Sequence, residues 1–210
     1  MEKVLVIWSG GLDSTVSVIR ELYNPTVEVH TLYFELENNE NKNEFEEEAI
    51  GNITYEVVHG DFELENHTYR IPEVNYLKNG QMGHYVQPYL WIKHLVEFLG
   101  EDNPSRYERI VFSFLQGDDI WMEVRELKDM YYSSMKCLFP EFIDEPYKIP
   151  RLEFPLRTWD KSDIIGWYGE YGYNYVKDLT WTCEQPKDEA CGKCRPCLKR
   201  KFYEENGYDV

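Results

Sequence analysis

Residues 4–20, VLVIWSGGLDSTVSVIR, constrain the fold more than any other part of the chain. Four apolar residues run without interruption into Trp8, and a strand of that kind is buried on both faces. Ser9-Gly10-Gly11 then turns the chain, after which Leu12, Val16 and Ile19 recur at helical steps. A buried strand, a glycine turn and a helix in direct succession open a βαβ unit, which requires a parallel sheet with helices packed on it. At 210 residues the chain is long enough for one such domain with its own core, so residues 1–210 are expected to form a single domain.

The alternation continues. Strands are expected over 3–8, 27–34, 54–59 and 109–115, and helices over 14–23, 44–50, 85–99 and 120–137, with a further helix starting near Asp160. The polar stretch 60–83 reads as a long loop. The fold class is α/β: an open, mostly parallel, Rossmann-like sheet with helices on both faces, plus a small C-terminal four-cysteine segment. Cys137 is expected to be at least partly buried on its helix. The acidic run 35–48 reads as a solvated surface.

The net charge of −17 argues against a nucleic-acid partner, because a phosphate backbone selects for a basic surface. No positive-then-apolar leader opens the chain and no apolar run approaches 18 residues, so a cytoplasmic protein without a membrane partner is expected.

The glycine turn is a candidate anion cradle. Gly10 and Gly11 can present backbone N–H groups to phosphate oxygens without side-chain obstruction. The following helix aims its positive dipole end at the same point. Ser9, Ser14 and Thr15 offer hydroxyls, and Leu12 and Asp13 complete the loop 9–15. A plain Gly-Gly turn with Asp13 capping the helix would explain two glycines, but not the whole Ser-Gly-Gly-Leu-Asp-Ser string between strand and helix. No lysine occupies the place that a Walker loop uses to reach the β- and γ-phosphates.

Four of the five cysteines are crowded together: Cys183, Cys191, Cys194 and Cys197, spaced C-x7-C-x2-C-x2-C. Tight Cys-x-x-Cys turns bring two thiolates to one ion, and four sulfurs close the tetrahedral shell of structural zinc. Zn²⁺ is favoured, with an iron–sulfur cluster as the competitor. Lys187, Lys193, Arg195, Lys199, Arg200 and Lys201 surround this segment and would balance its negative charge.

SGGLDS resembles the PP-loop of the ATP pyrophosphatase superfamily. That resemblance implies a grip on the β,γ-pyrophosphate of ATP as leaving group, with Asp13 helping to hold Mg²⁺. Combined with TWTC…CGKCRPCLKR and with FPLRTWDKSDIIGWYGEYG, it narrows to the QueC family, the 7-cyano-7-deazaguanine synthases, with Lys161 matching that family's lysine. The resemblance covers roughly residues 1–20 and 150–202. It implies an ATP-dependent ligase that adenylates 7-carboxy-7-deazaguanine, accepts ammonia to form an amide, and dehydrates the amide to a nitrile through a second adenylation. It also implies a homodimer. Asp13, Ser14 and Lys161 are then the candidates for chemistry, and Asp118, Asp119 and Arg125 for the deazapurine. In the middle of the chain QMGHYVQPYLW lacks the family's Arg-Asn pair, and GDDIWMEVRELKDMYYSSM replaces its Tyr-Pro-Asp-Cys-Arg string. A PP-loop enzyme with another acceptor, a tRNA thiolase among them, and a non-catalytic nucleotide-binding relative are the alternatives.

Overall fold

In a computed structural model of the chain, which describes residues 1–36, 40–57, 64–71, 83–184 and 189–205, five strands form one sheet. In chain order these are β1 (Glu2–Ile7), β2 (Val27–Leu36), β3 (Leu64–Ile71), β4 (Arg109–Val111) and β5 (Arg151–Glu153). Their spatial order is β3-β2-β1-β4-β5, and every pairing is parallel. The helices are α1 (Leu12–Leu22), α2 (Glu40–Val57), α3 (Gly83–Asp102), α4 (Val124–Leu138), α5 (Lys161–Glu170), α6 (Asn174–Leu179) and α7 (Arg195–Glu205). The sheet is covered on both faces, as the opening stretch requires.

β1 is central, and Val4, Leu5 and Val6 have no exposed surface at all. Successive residues point to opposite faces. Leu5 and Ile7 join Leu32, Phe34 and the apolar stripe of α3, while Val4, Val6 and Trp8 join Val16 and Ile19 of α1, Ile53 of α2 and Ile164 of α5. Burying each such side chain stabilises the fold by about 1.5–3 kcal/mol relative to exposure. Because the chain leaves β1 toward β2 on one side and returns as β4 on the other, a crevice opens at the carboxyl ends of β1 and β4. Open α/β sheets bind ligands at that switch point.

Several expected elements are corrected. The strand expected over 54–59 is, as far as Val57, the end of α2. Thr54, Tyr55 and Val57 favour strands locally, but Ala49, Ile50, Ile53 and Val57 share one helical face on the sheet, and that burial overrides propensity. The true third strand, β3, lies inside the stretch taken for a loop; residues 60–63 and 72–82 of that stretch lie outside the described residues. β3 is polar because it is an edge strand. Its outward residues meet partners on β2, with Arg70 donating to both carboxylate oxygens of Glu35 at 2.9 and 3.0 Å and Thr31 donating to Asn66 at 2.6 Å. The fourth strand ends at Val111 instead of Leu115, because the chain curves out of the sheet there and Gln116 N–H bonds to Trp159 carbonyl instead of a strand.

The helix expected over 120–137 is divided. A 3-10 turn at Asp119–Met122 precedes α4, anchored by the Trp121 indole N–H on the Leu115 carbonyl at 2.6 Å. Cys137 is exposed, not buried, since the buried face of α4 is made by Leu127, Tyr131 and Met135.

One buried ion-pair group ties the start of the sheet together. Arg109 of β4 donates to Glu21 of α1, Glu2 of β1 and Glu153 of β5, and is 8 % exposed. These carboxylates, Glu21 above all, hold its guanidinium pKa above the usual value. No helix among the described residues is long and apolar enough to cross a membrane.

Candidate active site

The turn after β1 has the geometry of a cradle. Gly10 takes φ +67°, a left-handed conformation open to glycine at little cost. A Cβ there would stand 2.9 Å from the Glu46 carbonyl oxygen of α2, so the close approach of that helix also demands glycine. Gly11 is the N-cap of α1, with no side chain spent on capping its N–H groups. Ser14 Oγ lies 3.4 Å from both Ser9 N and Ser9 Oγ and donates to Gly11 carbonyl at 3.2 Å, closing the loop on itself. Tyr168 of α5 donates to Leu12 carbonyl at 3.0 Å, which fixes the first turn from behind. Thr15 is fully buried, and its hydroxyl accepts from the Trp8 indole at 3.0 Å; it supports the loop from inside the core.

Asp13 does not cap α1. Its two carboxylate oxygens each lie 2.6 Å from Lys161 Nζ, 148 positions away in sequence. Lys161 reaches it because α5 begins there, held by a reciprocal capping box. Asp160 accepts from the N–H groups of Ser162 and Asp163, and Asp163 accepts from Asp160 N–H. Both members of the pair are partly exposed to the cavity side, at 26 % and 23 %.

A cavity of about 370 Å³ opens at the switch point. Leu12, Asp13 and Lys161 form one wall and the segment 114–118 from the end of β4 forms another. Asp118 enters from that segment, with one oxygen accepting from Leu115 N–H at 2.7 Å. Burial pushes its carboxyl pKa up, and the neighbouring Asp13 charge adds to this, against the pull of the Leu115 N–H, Lys161 and Lys199. Asp119 begins the 3-10 turn, and its side chain lies outside the described residues. Arg125 is not brought to the site: it is exposed on α4 beside Asp129. Trp91 and Phe114 supply flat apolar wall.

The four cysteines converge at the rim. Cys183, Cys191, Cys194 and Cys197 have all their sulfurs within 4.8 Å of one another, with Cys183 and Cys194 3.9 Å apart. Gly192 turns the chain at φ +68°, and N–H groups of Cys191 and Cys194 donate to the sulfurs of Cys183 and Cys191 at 3.3 Å. N–H donation from Lys193 and Cys194 lowers the Cys191 thiol pKa to about 6, whereas burial raises that of Cys197 to about 12. Sulfurs this close cannot all ionise without a cation between them, so the donor set fits a metal.

Trp181 attaches this segment to the rest. Its backbone N–H donates to Gly10 carbonyl at 3.0 Å, its indole N–H to Cys183 carbonyl at 3.1 Å, and its ring stacks on Phe45 of α2 at 4.3 Å. The cysteine segment is therefore pinned to the glycine turn, and α7 brings Arg195, Lys199, Arg200 and Tyr203 to the cavity. Lys187 lies outside the described residues. Lys177 of α6, buried and also lining the cavity, carries no sequence signal: it sits in a short helix without a motif.

The family model described as "Queuosine biosynthesis protein QueC" matches residues 127–207. The 7-cyano-7-deazaguanine synthase 2 of Colwellia psychrerythraea is 24 % identical over 225 residues, spanning 100 % of this chain and 97 % of that protein. The 7-cyano-7-deazaguanine synthase of Pseudoalteromonas atlantica is 26 % identical over 232 residues, with 100 % and 97 % covered. Among solved structures, the U34-tRNA thiolase NcsA of Methanococcus maripaludis with its 4Fe-4S cluster shares the fold at a TM-score of 0.55. Identity there is 13 %, over 98 % of this chain and 67 % of that one.

Proposed function

We propose that this chain, a divergent relative of the QueC-type 7-cyano-7-deazaguanine synthases along its whole length, uses ATP to turn a carboxyl-bearing 7-deazaguanine and ammonia into the nitrile. The observation that carries the reading is the convergence of Leu12 just after the glycine turn, the Asp13–Lys161 pair, Asp118 and the basic residues of α7 on one cavity.

The chemistry follows from that arrangement. The N–H groups of the glycine turn and the N-terminus of α1 receive the β,γ-pyrophosphate, and Ser9 and Ser14 add hydroxyl donors. A substrate carboxylate oxygen attacks the α-phosphorus and the bond to pyrophosphate breaks. Negative charge accumulates on the leaving pyrophosphate, and Lys161, Lys199 and Arg200 lie where it can be neutralised. With ATP bound, Lys161 exchanges part of its contact with Asp13 for phosphate, freeing Asp13 for Mg²⁺, a cation that favours carboxylate and phosphate oxygens. Ammonia then displaces AMP from the acyl adenylate, giving the amide and a proton. In a second round the amide oxygen attacks the α-phosphorus of another ATP and pyrophosphate leaves; loss of AMP and of the two nitrogen-bound protons then leaves the nitrile. Carboxylate and amide are poor electrophiles, and adenylation supplies a leaving group at both stages. The protein positions the reactants.

The flat walls offered by Trp91 and Phe114 suit a purine-like ring. Asp118, half-buried, keeps one oxygen to accept from an N–H donor of a guanine edge. The four cysteines would hold Zn²⁺ as a structural ion. A tetrahedral ion with Zn–S bonds of about 2.3 Å separates its sulfurs by about 3.8 Å, close to the 3.9 Å between Cys183 and Cys194. A four-iron cluster attaches each thiolate to a different iron and spreads the sulfurs wider. In the same reading residues 1–210 are a single domain, 181–202 its metal-binding part, and the molecule a homodimer.

The test is AMP release from ATP and Mg²⁺ with ammonium, with and without 7-carboxy-7-deazaguanine, products being identified by mass. AMP that depends on the acid, together with nitrile, is the expected result. Accumulating amide would limit the activity to the first half of the sequence. Folded, metal-loaded protein giving no acid-dependent AMP would overturn the assignment of the acceptor.

A further inference from the structure

Away from the cavity, near the start of β2 and β3, a second set of metal-ligating side chains meets. His30 of β2 and Glu65 of β3 are direct cross-strand partners, and His67 follows two residues later on the same face. His30 Nδ1 lies 3.3 Å from His67 Nε2 and 3.3 Å from Glu65 Oε2, and His67 Nε2 lies 3.3 Å from Glu65 Oε1. Each pair among the three side chains thus approaches to 3.3 Å, with Glu65 turning one carboxylate oxygen to each imidazole.

That spacing discriminates between explanations. A tetrahedral ion bound at about 2.0–2.1 Å by nitrogen and oxygen sets its ligand atoms about 3.3–3.4 Å apart. Hydrogen bonds of N–H to nitrogen or oxygen favour about 2.9–3.0 Å. In addition, His30 Nδ1 faces a ring nitrogen and a carboxylate at once, and a single proton on it points well at only one of them. We propose that His30, Glu65 and His67 form a second metal site, for a divalent transition ion of the zinc class, distinct from the four cysteines.

The surroundings fit such a site. His30 is completely buried, and its other nitrogen, Nε2, is 2.9 Å from Glu28 Oε1. A carboxylate behind a ligating imidazole fixes its tautomer and raises its basicity. Glu28 is itself held by Lys3 at 2.7 Å, so the support is anchored to β1. The two imidazoles lie nearly parallel, 9° apart, and Tyr107 packs edge-on against His30, its hydroxyl 3.4 Å from His67 Nε2. Arg106 donates to Glu65 Oε2 at 2.6 Å. Its positive charge opposes a dication, which weakens the site relative to a bare carboxylate but leaves Oε1 available. Glu65 is 49 % exposed, so the ion has an entry path and a position open to water.

Two histidines and one carboxylate suit Zn²⁺, Co²⁺, Ni²⁺ and Fe²⁺ over Mg²⁺ or Ca²⁺, which call for oxygen shells. The ion would clamp β3, the polar edge strand, to β2.

Cobalt titration of the purified, metal-free chain tests this, because Co²⁺ reports its ligands by colour. The four-thiolate site gives strong sulfur-to-cobalt charge-transfer absorption, whereas the His30–Glu65–His67 site gives only weak visible d–d bands. The expected result is two equivalents per chain, one with and one without charge transfer. His67→Asn and Glu65→Gln each remove the second equivalent and leave the first. Glu28→Gln retains it with about 10–100-fold weaker affinity. A wild-type chain that takes up only the charge-transfer equivalent overturns the proposal, even if a variant fails to fold. So does an unchanged second equivalent in folded His67→Asn.

Discussion

Asp118 is a carboxylate whose environment opposes its charge. Burial and the nearby Asp13 hold its carboxyl above the ordinary value of 3.8. Between that value and the raised one, the folded chain keeps a proton that the unfolded chain has released. Stability contributed by this group is therefore greatest below the ordinary carboxylate range and is lost as pH rises through the folded pKa. Asp118→Asn keeps an acceptor for Leu115 N–H and removes the charge. It should melt higher than wild type at pH 7, by about 2–4 °C per kcal/mol relieved, and the difference should vanish near pH 3. Thermal melts across that range check it, and a variant that melts lower at pH 7 would show that the charge is compensated in the fold. A strained charge of this kind at a switch point is what a site for a cation or a donor edge requires. Asp118 was legible as a candidate only through the family resemblance and its position after a strand; its burial and its closeness to Asp13 were not, because both depend on β1 lying beside β4.

At the scale of elements, Arg109 shows how the start of the sheet is held. It meets Glu21, Glu2 and Glu153 from three other elements, and Glu21 is 14 % exposed. Arg109→Met leaves these carboxylates partly buried without their cation. Breaking a buried pair from one side costs about 3–5 kcal/mol, so the urea midpoint should fall by that energy with little change in slope. Arg109→Lys should not restore it, since an ammonium cannot present the guanidinium fork to Glu21. An unchanged midpoint would mean the group is balanced by solvent. Element types were legible where burial is periodic along the chain: β1, α1 and β2 appear close to where their apolar patterns put them. β3 was not, because an edge strand such as LENHTYRI satisfies its outward residues through polar partners on β2 and shows no apolar alternation. α2 was split for the converse reason, strand-forming Thr54 and Tyr55 standing on the solvent side of a helix that Ile53 anchors.

At the scale of the whole molecule, the cysteine segment is the part that joins the ends of the chain. Trp181 hangs it from Gly10, and α7 carries its cations over the cavity. Cys194→Ser, or stripping the metal, should loosen residues 181–202, lower the melting temperature and abolish AMP formation together. The sheet's far-ultraviolet signature should survive, since the two apolar cores do not include the cysteines. Loss of AMP formation with an unchanged melting temperature would assign the ion a direct part in the chemistry. The variant separates this from any ion at His30, Glu65 and His67, which a chelator would also remove.

What the sequence alone determined is local and contiguous: a buried strand running into a Ser-Gly-Gly turn and a helix, and four cysteines spaced to share one ion. Both follow from backbone freedom, dipole direction and ligand reach within short contiguous runs. The tertiary structure decided what lies far apart in the chain. It paired Asp13 with Lys161, turned Thr15 into the core, left Arg125 outside on α4, and drew His30, Glu65 and His67 into one cluster. Those contacts depend on strand order and register, which hydrophobic burial on two faces sets for the sheet as a whole, and no single segment encodes them.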